Sequence, residues 1–173
     1  MTGHGSFLSS GWLALRSLAW TILIPGVVAA YVPWRFLGLD SVRLDRLDPV
    51  HDVSLVLIAA GAVLLGMCIV DFARYGRGTL APADAPRQLV VRGLYRYVRN
   101  PMYLSVTTIL AGESLLARSS ALLIYLMVWL VVVNLFVIGY EERTLRRRFG
   151  ADYERYARHV HRWVPRLPRE PCL

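Results

Sequence analysis

The residues best suited to chemistry fall in two short segments that lie far apart in the chain. The first runs from Arg87 to Tyr103 and combines arginines, tyrosines and an amide. The second contains the adjacent acids Glu141 and Glu142, followed by Tyr153 and Tyr156. Carboxylates accept hydrogen bonds from a diol, arginine and amide groups bind an amino-acid carboxylate, and aromatic faces cover a base or a sulfonium. Together the segments suit a zwitterionic cofactor that carries a ribose and a purine.

Each of these features also has an architectural explanation. Asn100 followed by Pro101 is a good helix start. Arg99 could be an anchor that extends its charge to a membrane surface. Glu142 and Arg146 have the spacing of an ordinary i,i+4 ion pair on a helix. The functional interpretation therefore depends on the two segments lying together, and that depends on the elements between them.

Four apolar blocks are predicted to cross a membrane, because a helix needs ~20 residues to span the hydrocarbon layer. They run from Trp12 to Val32 (with a kink expected at Pro25-Gly26), Val53 to Phe72, Met102 to Ala117 and Ala121 to Tyr140. Asp48-Pro49 is expected to be the N-cap and first residue of the second helix. The third block is short, at about 24 Å for a helix rise of ~1.5 Å per residue. Blocks three and four are joined by only Arg118, Ser119 and Ser120, which predicts a tight hairpin. That hairpin would return the fourth helix to the level of Arg99, so Arg99 and Glu141 should share one rim.

The arginines set the expected orientation. The segment 73–100 carries six arginines and one acid, and the segment 141–173 carries nine arginines. Two crossings separate these segments, so both should face the cytoplasm, and both termini with them. The chain is 55% hydrophobic with a net charge of +8, and all of its basic residues are arginines. Basic residues beside long apolar blocks suit anionic membrane lipids and argue against a nucleic-acid binder.

We therefore expect an all-α polytopic protein of a bacterial cytoplasmic membrane, with about four transmembrane helices and a cytoplasmic helical C-terminal segment. Its single membrane domain would comprise helices one and two (1–72), a cytoplasmic loop (73–101), the helical hairpin (102–140) and a cytoplasmic C-terminal segment (141–173). The cysteines and histidines have no metal-ligand spacing, so no metal is expected.

The C-terminal segment has its own helix signals. The fourth helix should continue to Phe149 and stop at Gly150. A short helix should then begin near Asp152 and be ended by Pro165 and Pro168. Apolar side chains recur along this segment at steps of three and four, and we expect them to lie on the membrane surface. They are Phe149, Tyr153, Tyr156, Ala157 and Val160.

One joint pattern resembles a known superfamily. Arg99-Asn100-Pro101-Met102-Tyr103, an apolar hairpin, and Glu141-Glu142 with Leu145, Phe149-Gly150, Tyr153, Tyr156 and Pro165 are similar to the isoprenylcysteine carboxyl methyltransferase and phospholipid methyltransferase superfamily. The resemblance spans roughly Arg87 to Pro168. It implies a site for S-adenosylmethionine at the cytoplasmic end of the helices, with the loop 73–101 binding the cofactor and the segment 141–173 closing the site. The implied cofactor-binding residues are Arg87, Gln88, Leu89, Val90, Tyr95, Asn100, Pro101, Met102, Tyr103 and Glu141.

Two positions depart from the superfamily's pattern. Asn100 stands where a histidine is usual, which keeps hydrogen bonding but removes a titratable group. Val137 stands where the isoprenylcysteine branch has an arginine that holds the substrate carboxylate. The resemblance therefore does not carry over a prenylcysteine carboxylate as the acceptor. It leaves a lipophilic acceptor, whether prenylated, phospholipid or another small hydrophobic molecule.

The expected reaction is direct, in-line methyl transfer, with Arg99 and Glu142 as the candidate catalytic residues. The protein would mainly supply alignment and water exclusion. A carboxylate acceptor would need no base, whereas an amine or thiol acceptor would need a base, for which Glu142 is the nearest candidate.

Glu113 is a second functional candidate because acids inside a crossing are expensive to bury. Its favoured interpretation is a structural pair with Arg118 or a polar contact to another helix, and a role in acceptor binding is secondary. Asp71 is expected to pair with Arg74. Asn134 would face an acceptor tunnel or a neighbouring helix. The alternative function is a small four-helix proton-coupled transporter that uses Glu113. A structural membrane subunit is a third hypothesis, which no residue supports directly.

Overall fold

The computed structural model describes residues 23–38, 48–75, 89 and 91–167, with only the backbone at 72–75. Every regular element in these ranges is helical, as predicted. A π-helical turn, Val27–Tyr31, leads into α1 (Val32–Phe36). The helices α2 (Pro49–Tyr75), α3 (Pro101–Ala117) and α4 (Ser120–Phe136) follow, with a 3₁₀ turn, Gly93–Arg96, before α3. A second π turn, Val137–Glu141, joins α4 to α5 (Glu142–Phe149), and α6 (Ala151–His159) is the last helix in the described range.

Two helices among the described residues are long and apolar enough to cross a membrane, Pro49–Asp71 and Ser120–Phe149. Many of their large apolar side chains point away from the protein, including Val56, Val63 and Ile124. Such a surface suits contact with hydrocarbon. The helical stretch Leu23–Phe36 is apolar but shorter. Most of the predicted first crossing lies outside the described residues.

Helix α3 forms the centre of the molecule and packs closely on α2. A Cβ atom added at Gly61 of α2 would lie 2.9 Å from the Ser105 carbonyl oxygen. A Cβ atom added at Gly112 of α3 would lie 2.8 Å from the Ser54 carbonyl oxygen. Small residues at these two levels let the backbones approach, as in other membrane helix pairs.

The helix boundaries follow local signals in the sequence. The backbone N–H of His51 donates to Asp48 Oδ1 at 2.8 Å, so Asp48 caps α2 as predicted. The hairpin turn contains only Arg118, which is left-handed with φ 47°, and Ser119, whose hydroxyl accepts from the Leu122 N–H at 3.4 Å. The predicted tight hairpin is confirmed. A π turn follows Pro25-Gly26, at the predicted kink.

The expected pair between Glu113 and Arg118 is wrong. Glu113 is 5% exposed, and its Oε2 atom has no hydrogen-bond partner within the described part of the chain. Arg118 lies at the exposed hairpin tip and forms an ion pair with Asp48 instead. The physical reason is direction: Glu113 points into the helix packing, while the left-handed turn holds Arg118 beside the start of α2.

Asp71 has a partner across the chain. Its Oδ2 atom accepts from the Leu94 N–H at 3.2 Å, which joins α2 to the 3₁₀ turn. The side chain of Arg74, its predicted partner, lies outside the described residues.

The C-terminal segment forms the two helices that the sequence predicts, but its apolar side chains pack differently from the prediction. Helix α5 ends at Phe149, and Gly150 has a positive φ of 50°, as predicted. Helix α6 ends at His159, several residues before Pro165, because Val160 turns to an extended conformation. The apolar stripe does not lie on a membrane surface. Tyr153, Tyr156 and Val160 are buried in one cluster, against which Leu89, Val91, Leu145, Phe149 and Ala157 pack.

Candidate functional site

The two chemistry-bearing segments meet at one end of the helical hairpin. The hydroxyl of Tyr103, in the first turn of α3, donates to Glu141 Oε2 at 3.0 Å. Glu141 is the last residue of the π turn that follows α4, so the hairpin does return the chain to the level at which α3 begins. The sequence predicted this convergence of the α3 start with Glu141.

Glu142 lies at the centre of an ion-pair cluster. It is 4% exposed. Arg162 binds both of its oxygens, with Nε–Oε1 at 2.6 Å and Nη2–Oε2 at 3.0 Å. Arg99 Nη1 lies 3.2 Å from Oε1. The hydrogen bond to the Glu142 carboxylate raises the pKa of Arg162, which keeps this guanidinium charged.

The predicted i,i+4 pair of Glu142 and Arg146 is present, but it is the longest of the ion pairs that Glu142 forms. Arg146 Nη2 is 4.0 Å from Glu142, and its nearer partner is Glu154 Oε1 at 2.9 Å. Glu142 faces inward, where Arg162 satisfies it from a segment that local spacing could not reveal.

Arg99 points into the protein and not toward a membrane surface. Its side chain is 12% exposed, and Nη1 also donates to the Tyr153 hydroxyl at 3.2 Å. Its backbone N–H donates to the His161 carbonyl at 2.9 Å. Its Nε atom is buried with no hydrogen-bond partner among the described residues.

The chain after α6 crosses the segment that precedes α3. We call residues 160–166 the C-terminal strap. The Asn100 side-chain amide donates to the Arg162 carbonyl at 3.2 Å, so it does not cap its own helix. The Arg166 N–H donates to the Tyr97 carbonyl at 2.9 Å. The strap thus holds the residues on both sides of Arg99.

Tyr95 is tied to α6 through its backbone. The hydroxyl of Tyr156 donates to the Tyr95 carbonyl at 2.7 Å. Burial raises the pKa of the Tyr95 phenol well above its ordinary value, so this group is neutral at physiological pH. A neutral phenol in this position is a hydrogen-bond donor.

Two indole rings lie beside Tyr103, the residue that donates to Glu141. The Tyr103 ring is 6.3 Å from Trp129 and 6.5 Å from Trp163, measured between centroids. The Trp129 indole donates to Thr107 Oγ1 at 3.0 Å, and the Trp163 indole donates to Asn134 Oδ1 at 3.1 Å. These bonds fix the planes of both indoles and leave aromatic faces around Tyr103.

Sequence reasoning missed Trp129 and Trp163. The available signal was Asn134, a polar residue in an apolar helix that required a partner. That partner is Trp163, in the strap.

Of the six remaining residues that the sequence predicted to bind the cofactor, three lie in the described structure and three lie outside it. Leu89 packs on the Tyr153–Tyr156 cluster, Pro101 is the buried first residue of α3, and Met102 is half-buried. Arg87, Gln88 and Val90 lie outside the described residues. No group of three or more His, Cys, Asp or Glu side chains is placed to hold a metal ion in the ranges that the structure describes.

Known proteins are similar to the part of the chain that contains most of the residues described above. The family model described as phospholipid methyltransferase matches residues 52–152. An uncharacterized protein of Haemophilus influenzae is 36% identical over 63 residues, which is 36% of this chain and 100% of that protein. The probable protein-S-isoprenylcysteine O-methyltransferases of Oryza sativa subsp. indica and subsp. japonica are each 28% identical over 116 residues. These matches cover 65% of this chain and 60% of each rice protein. No solved structure matches.

Proposed function

Because this chain belongs to the phospholipid methyltransferase family, we propose that it moves a methyl group from S-adenosylmethionine to a lipophilic acceptor inside a membrane. The observation that carries this proposal is the hydrogen bond of 3.0 Å between Tyr103 and Glu141. It joins the start of α3 to the end of α4, so one small molecule could contact both.

The side chains at this place suit the proposed donor. Glu141 uses one oxygen to accept from Tyr103, and a carboxylate has further lone pairs for ribose hydroxyls. The faces of Tyr103, Trp129 and Trp163 suit a purine or a sulfonium. Arg99 Nε is a buried donor that lacks a partner in the described ranges, and it suits the carboxylate of the methionine moiety. These residues fit the cofactor.

The contribution of the protein would be binding, orientation and water exclusion. S-adenosylmethionine, when bound, supplies an electrophilic methyl group. Glu141 would orient the nucleoside, Tyr103 would hold Glu141 in place, and the strap would cover the site. Fixed alignment of this kind lowers the entropic barrier of a two-reactant transfer.

The proposed topology keeps four crossings and places residues 73–101 and 141–173 on the cytoplasmic side with both termini. The acceptor would enter sideways between helices from the lipid. Val137, which is buried, offers no charge to an acceptor carboxylate. The proton-coupled transporter is not favoured, because the family match lies over the residues that form the methyltransferase-like site.

Binding of the donor tests the proposal directly. The purified protein in detergent should bind S-adenosylmethionine in a calorimetric titration, and Glu141→Ala should abolish that binding. Glu154→Ala is the matched control, because Glu154 is an acid paired with Arg146 outside the Tyr103–Glu141 contact. Absence of binding to the wild type, or equal binding to Glu141→Ala, would refute it. Membranes incubated with methyl-labelled donor should then yield a labelled product in the lipid phase.

A further inference from the structure

Both oxygens of the Glu142 carboxylate are already engaged by guanidinium donors. Arg162 contributes two hydrogen bonds and Arg99 a third contact, all at 3.2 Å or less. The Glu142 side chain is 5% exposed. A general base needs a free lone pair directed at the proton that it removes. Glu142 has its lone pairs directed at two fixed cations instead.

This one carboxylate connects three separate segments of the candidate site. Arg99 immediately precedes Asn100, Glu142 immediately follows Glu141, and Arg162 belongs to the strap. The strap in turn binds Asn100 through the Arg162 carbonyl and bonds Asn134 through Trp163, beside the Tyr103 ring. Through Arg162 and the strap, Glu142 is therefore linked to the positions of Asn100 and Tyr103, two of the proposed donor-binding residues.

We infer that Glu142 is a positioning residue that fastens the C-terminal strap across the donor site, with Arg162 and Arg99 as its two anchors. This inference rests on the proposed methyltransferase function for its kinetic consequence. The fastening itself is a property of the folded chain and can be measured without turnover.

The cluster predicts an order among variants. Glu142→Gln leaves two guanidinium groups facing each other without a counter-charge, whereas Arg162→Met leaves Glu142 paired with Arg99. Both should release the strap, and Glu142→Gln should release it more. Because both variants break the same contact, the double variant should resemble Glu142→Gln alone.

Kinetics distinguish a positioning residue from a base. We expect both single variants to raise the KM for S-adenosylmethionine by roughly tenfold or more, the size of one lost charge-assisted hydrogen bond. The kcat at saturating donor should change by less than about threefold, and the acid limb of its pH profile should keep its shape. Asp152→Asn and Arg158→Met are the matched controls, since both residues lie on α6 outside the Glu142 cluster.

Limited proteolysis tests the fastening by itself. Trypsin should cleave the Arg166–Leu167 bond faster in Glu142→Gln and Arg162→Met than in the wild type and in both controls. This readout remains available if the wild type binds no S-adenosylmethionine, which would refute the proposed function but not the fastening. If Glu142→Gln does not fold, Arg162→Met carries the test.

Two results would overturn the inference. The first is a loss of kcat of about 100-fold or more in Glu142→Gln at saturating donor, with a flattened acid limb and an unaffected Arg162→Met, which would make Glu142 a base. The second is wild-type KM and wild-type cleavage in Arg162→Met, which would mean that the ion pair does not hold the strap.

Discussion

The contact between α2 and α3 at Gly61 gives the sharpest prediction about stability. A Cβ atom added at Gly61 would lie 2.7 Å from Ile109 Cγ1, 2.9 Å from the Ser105 carbonyl oxygen and 3.0 Å from the Ile109 backbone nitrogen. Two of these atoms belong to the backbone of α3, so no side-chain rotation can make room. Gly61→Ala should therefore push the two helices apart.

Gly66 provides the matched control on the same helix. A Cβ atom there would meet nothing within 4 Å. Gly66→Ala should gain the helix propensity of alanine over glycine, about 1 kcal/mol. Gly61→Ala gains the same propensity and loses about 1–3 kcal/mol to overpacking. The two variants should therefore differ by about 2 kcal/mol, or roughly 4–8 °C in Tm for a chain of this size.

Thermal unfolding of both variants in one detergent measures this difference through tryptophan fluorescence. A Gly61→Ala variant that melts at or above the temperature of Gly66→Ala would refute the close packing of α2 on α3. Since the Asp71 carboxylate of α2 holds the Leu94 N–H, displaced helices should also weaken donor binding in Gly61→Ala only.

Three further predictions concern buried polar groups and one turn. Glu113→Leu should raise the Tm, because removing a buried acid without a described partner relieves roughly 1–3 kcal/mol of desolvation; a clear fall in Tm would mean that the carboxylate is satisfied. Gly93→Ala should destabilise by about 2 kcal/mol or more, because Gly93 has φ 58° and its Cβ would overlap the Asp71 carboxylate; wild-type unfolding in urea would contradict this. The Tyr95 pKa is raised by burial, so its contribution to stability should be lost as pH rises above about 10, where the unfolded phenol ionises first. The Tm of Tyr95→Phe should accordingly fall less than that of the wild type between pH 9 and 11, and parallel curves would refute the shift.

The sequence predicted the features that local chemistry determines. Asp48 before Pro49 predicted the start of α2, Gly150 predicted the end of α5, and the short Arg118–Ser119 connection predicted the hairpin. Each depends on backbone preferences within a few residues. The convergence of Tyr103 with Glu141 then followed from the hairpin.

Proximity in the sequence did not identify the closest partners of two charged residues. The i,i+4 spacing offers Arg146 as the architectural partner of Glu142, and that contact exists at 4.0 Å, but Arg162, twenty residues away, binds Glu142 at 2.6 Å. Arg118 was assigned to Glu113 and pairs with Asp48, seventy residues away. Helical spacing shows which side chains can meet but not which way the helix faces. The facing direction depends on tertiary packing.

The apolar stripe on α6 is a second case in which helical spacing does not show what a helix face packs against. Its spacing predicted an apolar face, and the face exists. What covers it could not be read from the stripe, because both a lipid surface and a protein segment bury apolar area favourably. In the structure Leu89, Val91 and Leu145 pack against this face, so protein and not lipid buries it.

The π turn at Val137–Glu141 determines which of two neighbouring acids performs which task. Successive residues of an α-helix differ in direction by about 100°, and a π turn holds about one residue more than an α-helical turn. The angular shift that the extra residue introduces is therefore about the angle that separates Glu141 from Glu142. If this turn were wound as an ordinary α-helix, Glu141 would point roughly where Glu142 now points. A side chain other than a carboxylate would then face Tyr103. The number of residues in one helical turn, and not the identity of the acids, thus selects the one that faces Tyr103 and the one that faces Arg162.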